Sequence, residues 1–321
     1  MKTLITIMIP CYNEEKALPY LFKRLEALAD QNETYDFEFL FINDGSKDQT
    51  LDFIRRKAVA DRRISYIDLS RNFGKENAML AGFDYAKGDA LVIIDADLQD
   101  PPELIPEMIQ LWEEGYDDVY AKRDSREGET WAKKQTSKWF YSVLDSISKI
   151  EIQRDTGDFR LLDRRAVEAL KTLREANRYT KGMFSWVGFK KKEITYKRNP
   201  RIAGETKWNY WKLLNLAIEG ITSFTTSPLR ISLWAGGIIS FFAFFWAAFL
   251  ILRKIFFGAD MSGYTSLMSA ILLLGGIQLI SIGIIGEYIG RIFTESKNRP
   301  VYLAQEIKEY QREKPARKIK K

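Results

Sequence analysis

The sequence predicts an α/β fold, a mostly parallel sheet with helices on both faces, followed by a hairpin of two membrane-crossing helices. Three observations carry that expectation. Over about the first hundred residues, short β-branched runs alternate with amphipathic helical stretches, the pattern of βαβ units. Polar and acidic clusters stand where those runs end. Residues 229–290 then hold almost no charge, although charged residues make up 29% of the 321-residue chain, so the average conceals two unlike parts.

Residues 4–9 read as a buried strand, and the helix that follows has Leu18, Leu21, Phe22, Leu25 and Leu28 on one face. Residues 37–42 form a second strand ending at the turn Asn43-Asp44-Gly45-Ser46. Residues 64–69 form a third, and residues 90–94 a fourth that ends at Asp95-Ala96-Asp97. Helices fill the gaps; Pro101-Pro102 introduces one over residues 103–114, and residues 131–150 read as a further amphipathic helix. Acidic and polar residues thus end strands one, two and four. In open parallel sheets that edge binds ligands. Asn, Asp, Gly and Ser also favour ordinary turns, but three such clusters on one edge point to a site.

The uncharged part divides in two. Residues 231–252 hold no charge and reach roughly 33 Å as a helix, enough to cross a hydrocarbon core. Their Leu, Ile and Phe content is worth roughly −4 to −7 kcal/mol of insertion free energy. Residues 267–289 form a second span carrying only Glu287. A short link makes the two a hairpin. Arg230, Arg291, Lys297 and Arg299 flank its outer ends, so the positive-inside bias puts the large domain in the cytoplasm, against the weaker pull of Arg253 and Lys254 at the far turn. The expected organisation is a cytoplasmic domain over residues 1–205 and a juxtamembrane interfacial helix region over 206–228. The hairpin over 229–290 and a basic cytoplasmic tail over 291–321 complete it. The formal charge of +6 is concentrated at that tail, which reads toward anionic lipid rather than nucleic acid. The apolar run at residues 4–9 is too short for a signal peptide.

Two absences narrow the chemistry. The chain has no histidine, which excludes Ser-His-Asp catalysis and His-ligated zinc. Cys11 is the only cysteine, which excludes internal disulfides and thiolate clusters. Carboxylates, Lys, Arg, Tyr and a hard cation remain. Asp95-Ala96-Asp97-Leu98-Gln99 is the sharpest local signal: two carboxylates at a strand end suit Mg2+ or Mn2+ shared with substrate phosphates.

Six motifs occur in order. They are Ile9-Pro10-Cys11-Tyr12-Asn13-Glu14-Glu15, Asn43-Asp44-Gly45-Ser46-Lys47-Asp48, Ser70-Arg71-Asn72-Phe73-Gly74-Lys75 and Asp95-Ala96-Asp97-Leu98-Gln99-Asp100-Pro101-Pro102. Asp155-Thr156-Gly157-Asp158-Phe159-Arg160-Leu161 and Asn199-Pro200-Arg201-Ile202-Ala203-Gly204-Glu205-Thr206-Lys207-Trp208 follow. With the hairpin, they make the chain resemble family 2 glycosyltransferases over nearly its whole length. Within that family it resembles the polyisoprenyl-phosphate branch, which includes dolichyl-phosphate mannose synthases and bacterial bactoprenol glucosyltransferases. The resemblance implies a nucleotide-diphosphate-sugar-binding glycosyltransferase fold. It implies Pro10, Tyr12, Asn13 and Glu14 around base and ribose, Asp44 accepting from the base, and Asp95, Asp97 and Gln99 on the metal and diphosphate. Arg123, Arg160, Arg201 and Lys207 become candidates for the phosphates of acceptor and donor. Asp158 stands as general base or sugar-hydroxyl clamp, with Asp155 in reserve.

The implied reaction is inverting transfer of a hexose from a UDP-sugar to undecaprenyl or another polyisoprenyl phosphate. Glucose is the first choice, N-acetylglucosamine the second, and mannose from a GDP donor the third. A flippase and a downstream glycosyltransferase would handle the product, and the hairpin is expected to self-associate. Two rival readings stand beside it. A processive polysaccharide synthase is disfavoured because Gln135-Thr136-Ser137-Lys138-Trp139 has Lys where that class carries Arg, and precedes Asp155. A non-catalytic nucleotide-sugar sensor or flippase scaffold is disfavoured by the intact acidic motifs. A dinucleotide-binding dehydrogenase is disfavoured by the lack of G-x-G-x-x-G after strand one.

Overall fold

The computed structural model describes residues 2–123, 156–196, 226–257 and 263–311. The expected helix at 131–150, most of the interfacial segment at 206–228, Asp155, Arg201, Lys207 and the last ten residues lie outside them.

Four strands form the parallel core of the sheet: β1 (Leu4–Cys11), β2 (Asp36–Asn43), β3 (Ile64–Leu69) and β4 (Ala90–Ile93). β2 and β4 lie on either side of β1, with Leu4 opposite Asp36 and Ile5 opposite Ala90, and β3 continues beyond β2. Antiparallel β6 (Thr156–Asp163) follows β4, then β5 (Asp118–Arg123) and β7 (Lys191–Tyr196). With an edge strand β8 (Ala304–Lys308) beyond β3, the full order is β7-β5-β6-β4-β1-β2-β3-β8, a mixed sheet with a parallel centre.

The central strands are buried along their length because helices cover both faces, which is why they read as apolar runs without alternation. Ile5, Ile7, Ile9, Phe37, Phe39 and Phe41 face one layer, made with α1 (Leu18–Gln31), α2 (Thr50–Ala60) and α4 (Ile105–Glu113). Met8, Leu40, Ile42 and Ile67 face the other, made with α3 (Lys75–Tyr85), α5 (Arg164–Thr172) and α6 (Thr180–Trp186). The stripe read from α1 holds as expected: Leu18, Leu21, Phe22, Leu25 and Leu28 are all buried, and Phe22 stacks on Phe41 with centroids 4.7 Å apart. A short 3-10 turn, Pro102–Leu104, leads into α4.

The chain winds from β1 outward through β2 and β3, then returns to the far side of β1 as β4. The loops leaving β1 and β4 therefore part company at the carboxyl edge. A crevice opens between them, and it is where ligands bind in sheets of this kind.

Two long helices follow, α7 (Ser227–Phe257) and α8 (Tyr264–Ser296). The stretches Leu229–Arg253 and Ser266–Ser296 are long and apolar enough to cross a membrane, and their apolar side chains face outward. The tail expected over residues 291–321 begins otherwise than the charge pattern implies. α8 runs on to Ser296, and Ala304–Lys308 forms β8, an antiparallel edge strand on β3. Five residues with two polar faces give little strand signal. The pairing is made by tertiary partners instead: Glu306 accepts from the Tyr66 hydroxyl at 2.5 Å and pairs with Arg55.

Candidate active site

The edge is assembled loop on loop. Asn13 adopts φ 59°, which turns the chain sharply after β1. Its N–H donates to Ser46 Oγ at 3.0 Å and its Oδ1 accepts from the Lys47 N–H at 2.8 Å. The Glu14 N–H donates to Thr50 Oγ1 and the Glu15 N–H to Asp48 Oδ2. The first two strand-end motifs are thereby one structural unit, which leaves Tyr12 exposed at its rim.

Asp44 stands elsewhere than the resemblance implies. Its carboxylate is buried and accepts from the Phe73 N–H at 2.7 Å and the Gly74 N–H at 3.0 Å. Burial raises its pKa against the opposing pull of those two amides. An acid so placed holds the β3–α3 loop. The loop also needs Gly45: at φ 65°, a Cβ there would lie 2.5 Å from the backbone of Arg71 and Asn72.

That loop delivers Lys75, the first residue of α3, into the crevice. Its Nζ lies 2.6 Å from Asp95 Oδ1 and 2.5 Å from Asp158 Oδ2. Burial alone would lower the Lys75 pKa, but the two carboxylates raise it well above its ordinary value. Burial alone would likewise raise Asp158. The charge of Lys75 first, then that of Lys181, instead holds it down to about 2. Asp158 Oδ1 is buried with no hydrogen-bond partner among the described residues.

Asp95 and Asp97 follow β4 and are partly exposed, whereas Ala96 and Leu98 are buried. Asp97 Oδ1 accepts from the Gln99 N–H at 3.2 Å, and Leu98 is held at φ 60°, a strained conformation of the kind that marks functional turns. Gln99 itself is buried. Beneath the turn, buried Asp100 accepts from the Tyr196 hydroxyl. Its carboxyl is pushed up to about 6, by burial first and then by the charge of Asp95.

The donor set fits a divalent cation. Asp95 and Asp97 supply hard oxygen ligands, and Asp95 already draws one cation, the Lys75 ammonium. No group of three or more acidic side chains among the described residues could hold an ion unaided. Two carboxylates completed by phosphate oxygens and water is the arrangement magnesium prefers.

The basic candidates separate. Arg123 borders the site, its guanidinium close to Gly157 and its charge acting on Asp100 and Tyr196. Arg160 does not reach it as a ligand. Its side chain is 0% exposed, pairs with Asp118 at 3.0 Å, and lies 3.7 Å from the Phe184 ring centroid. Its buried charge also helps to lower the pKa of Asp158. Lys75, Lys181 and Asp100 join the site without having been singled out. Lys75 and Asp100 stood inside quoted motifs, and the available signal was topological: β3 ends on the same edge as its parallel neighbours. Lys181, whose Nζ donates to the Thr156 carbonyl, carries no motif signal at all.

A mixed α/β sheet with an acidic turn at its switch point suits a transferase, and comparison with known proteins gives the family. Glycosyl transferase family 2 matches residues 6–171 and the GtrB C-terminal hairpin matches residues 227–292, so the chain belongs to glycosyltransferase family 2. An uncharacterized glycosyltransferase of Synechocystis is 52% identical over 304 residues, covering 94% of this chain and 95% of that one. A prophage bactoprenol glucosyl transferase homolog of Escherichia coli K12 is 47% identical, covering 95% and 99%. The bactoprenol glucosyl transferase of Shigella phage SfV is 46% identical with the same coverage. Among solved structures, glucosyl-3-phosphoglycerate synthase from Mycobacterium tuberculosis, in complex with Mn2+, UDP and phosphoglyceric acid, matches with a TM-score of 0.50. At 18% identity, over 68% of this chain and 76% of that one, the likeness is one of fold.

Proposed function

We propose that this protein transfers glucose, with inversion, from a UDP-linked donor to a polyprenyl phosphate at the cytoplasmic face of a membrane. The observation that carries the reading is the near full-length similarity to bactoprenol glucosyl transferases, at 46–47% identity. The acidic turn, the two membrane-length helices and the basic residues flanking them agree with it.

The acceptor's chemistry sets what the residues must do. A phosphate monoester has its second pKa near ~6 and is largely dianionic at neutral pH. It attacks the anomeric carbon without first losing a proton, so no general base is required. Asp158 is poorly suited to be one: a carboxylate held near 2 and paired with Lys75 has little proton affinity at pH 7. We assign it to the clamp, with Oδ1 accepting from a sugar hydroxyl. Asp95 and Asp97 would hold Mg2+ or Mn2+, which when bound offsets charge on the leaving diphosphate. Tyr12, Asn13 and Glu14 line the rim where base and ribose would lie. Arg123, with Arg201 and Lys207 outside the described residues, would oppose the acceptor phosphate. Bringing two anions together by alignment and neutralisation is the catalytic work.

The test is nucleoside diphosphate release from a panel of nucleotide sugars with undecaprenyl phosphate in detergent, with and without Mg2+ or Mn2+. UDP-glucose turnover that depends on the lipid and is lost in Asp95→Ala/Asp97→Ala supports the proposal. Turnover without lipid, or undiminished in the double variant, refutes it. A pH–rate profile of Asp158→Asn that keeps both limbs while donor selectivity drops supports the clamp; loss of the acid-side limb would establish a base.

A further inference from the structure

Lys75 is oddly placed for a lysine. It opens α3, where the helix dipole disfavours a cation, and Gly74 before it provides no side-chain cap. Its backbone is fixed from an unusual quarter: buried Asp44 holds both Phe73 and Gly74 N–H groups, with Gly74 at φ 90°. A conformation so constrained, ending in a charge at an adverse position, is offset by the two carboxylates that the ammonium bridges.

The two contacts are unequal. Asp158 is the covered partner, its side chain 11% exposed, whereas Asp95 is 31% and Lys75 39% exposed. The side open to solvent is the Asp95 side. Asp95 is also the residue that the proposed donor site needs for its cation, and one carboxylate oxygen cannot serve an ammonium at 2.6 Å and a divalent ion equally well.

We propose that Lys75 is a built-in counter-cation of the donor site, occupying Asp95 until a divalent cation takes its place there, and remaining on Asp158 afterwards. This rests on the reading of Asp95 as a metal ligand. It gives the acidic crevice a neutralising charge, and it makes Lys75 a positioning residue for Asp158. Asp44 acquires a role as well, as the group that fixes the loop presenting this lysine.

The experiment measures Mn2+ binding to the purified full-length protein by titration calorimetry, with and without UDP, no sugar present. Lys75→Met should bind Mn2+ alone at least about tenfold more tightly than wild type, the scale of one charge-assisted contact removed from competition. Lys181→Met removes a charge that acts on Asp158 but donates to the Thr156 carbonyl instead of bridging to Asp95. It should shift Mn2+ affinity no more than about threefold at physiological salt, where non-contacting charges are screened. Asp158→Asn should weaken Mn2+ binding in the wild-type background, because Asp95 becomes the ammonium's remaining carboxylate, and weaken it much less with Lys75→Met present. Near-ultraviolet circular dichroism checks that each variant is folded.

Unchanged or weaker Mn2+ binding in Lys75→Met, equal effects of the two lysine variants, or strict additivity with Asp158→Asn each overturns the counter-cation. If wild type binds Mn2+ normally with UDP and loses it in Asp95→Ala, the donor site stands even when the exchange fails. If Asp95→Ala binds Mn2+ as wild type does, both fall.

Discussion

Replacing Arg160 separates a buried structural charge from a phosphate ligand. The guanidinium is 0% exposed, donates to both oxygens of Asp118 at 3.0 and 3.3 Å, and stacks on Phe184. Asp118 is itself buried, and burial already raises its pKa against the pull of Arg160. Arg160→Met leaves that carboxylate without its close cation in the middle of a β-sheet. Breaking a buried pair on one side costs about 3–5 kcal/mol. At about 2–4 °C per kcal/mol for a domain near 200 residues, the melting temperature should fall by roughly 6–20 °C. Arg160→Met with Asp118→Leu removes both charges and should recover much of the loss, since apolar replacement of whole buried pairs is often neutral or better. Thermal unfolding followed by circular dichroism in one detergent reads the change, and acceptor KM is measured below the melting range. The reasoning fails if Arg160→Met melts within about 1 °C of wild type while acceptor KM rises tenfold or more, because the arginine would then be binding phosphate.

Other consequences are open to direct measurement. Gly45→Ala forces a Cβ to within 2.5 Å of the Arg71–Asn72 backbone at φ 65°, so it should cost about 1–3 kcal/mol and raise donor KM, read by thermal melting and UDP release. Asp100 has its folded pKa raised to about 6, so its contribution is fully present below the unfolded value near ~3.9 and is lost as pH rises through 6. Asp100→Asn should therefore match wild type near pH 4 and exceed it by about 2–3 kcal/mol at pH 7, in urea unfolding at both. Glu306→Gln loosens a half-exposed cluster with Arg55 and Tyr66, and should cost no more than about 1 kcal/mol while increasing proteolysis around β8.

How far the fold could be read depended on how each signal arises. β1 to β4 and α1 were legible because burial on both sheet faces and one helical stripe leave continuous marks in the sequence. The acidic turn was legible because Asp95 and Asp97 must alternate with buried neighbours to share a direction. Arg160 misled for the converse reason: a buried arginine and a phosphate-binding arginine are the same letter, and only the position of Asp118 across the sheet, with Phe184 above, tells them apart. Asp44's hold on the loop was hidden similarly, since a turn aspartate that accepts backbone amides from a loop 29 residues later looks like any strand-end acid.

The least legible feature was the return of the chain after its two long helices. Charge composition marks residues beyond 291 as a basic tail, yet contacts beyond the β3–β8 pairing bind that stretch to the α/β domain. Glu295 Oε1 accepts from the Ala176 N–H at 2.8 Å, Tyr302 donates to Asp84 at 2.6 Å, and Glu306 joins Tyr66. None is a pattern within one segment; each depends on a partner more than a hundred residues away. The physical effect is to fasten the exit of the hairpin at two places, the loop before α6 and the outer edge of β3. The loop before α6 is in turn fixed by the Thr180 N–H donating to Glu76, the neighbour of Lys75. A transferase that must bring a soluble donor to a lipid phosphate needs its domain held at a set height and angle to the bilayer. A strand added to the sheet's edge ties the chain that leaves the second long helix back to that domain.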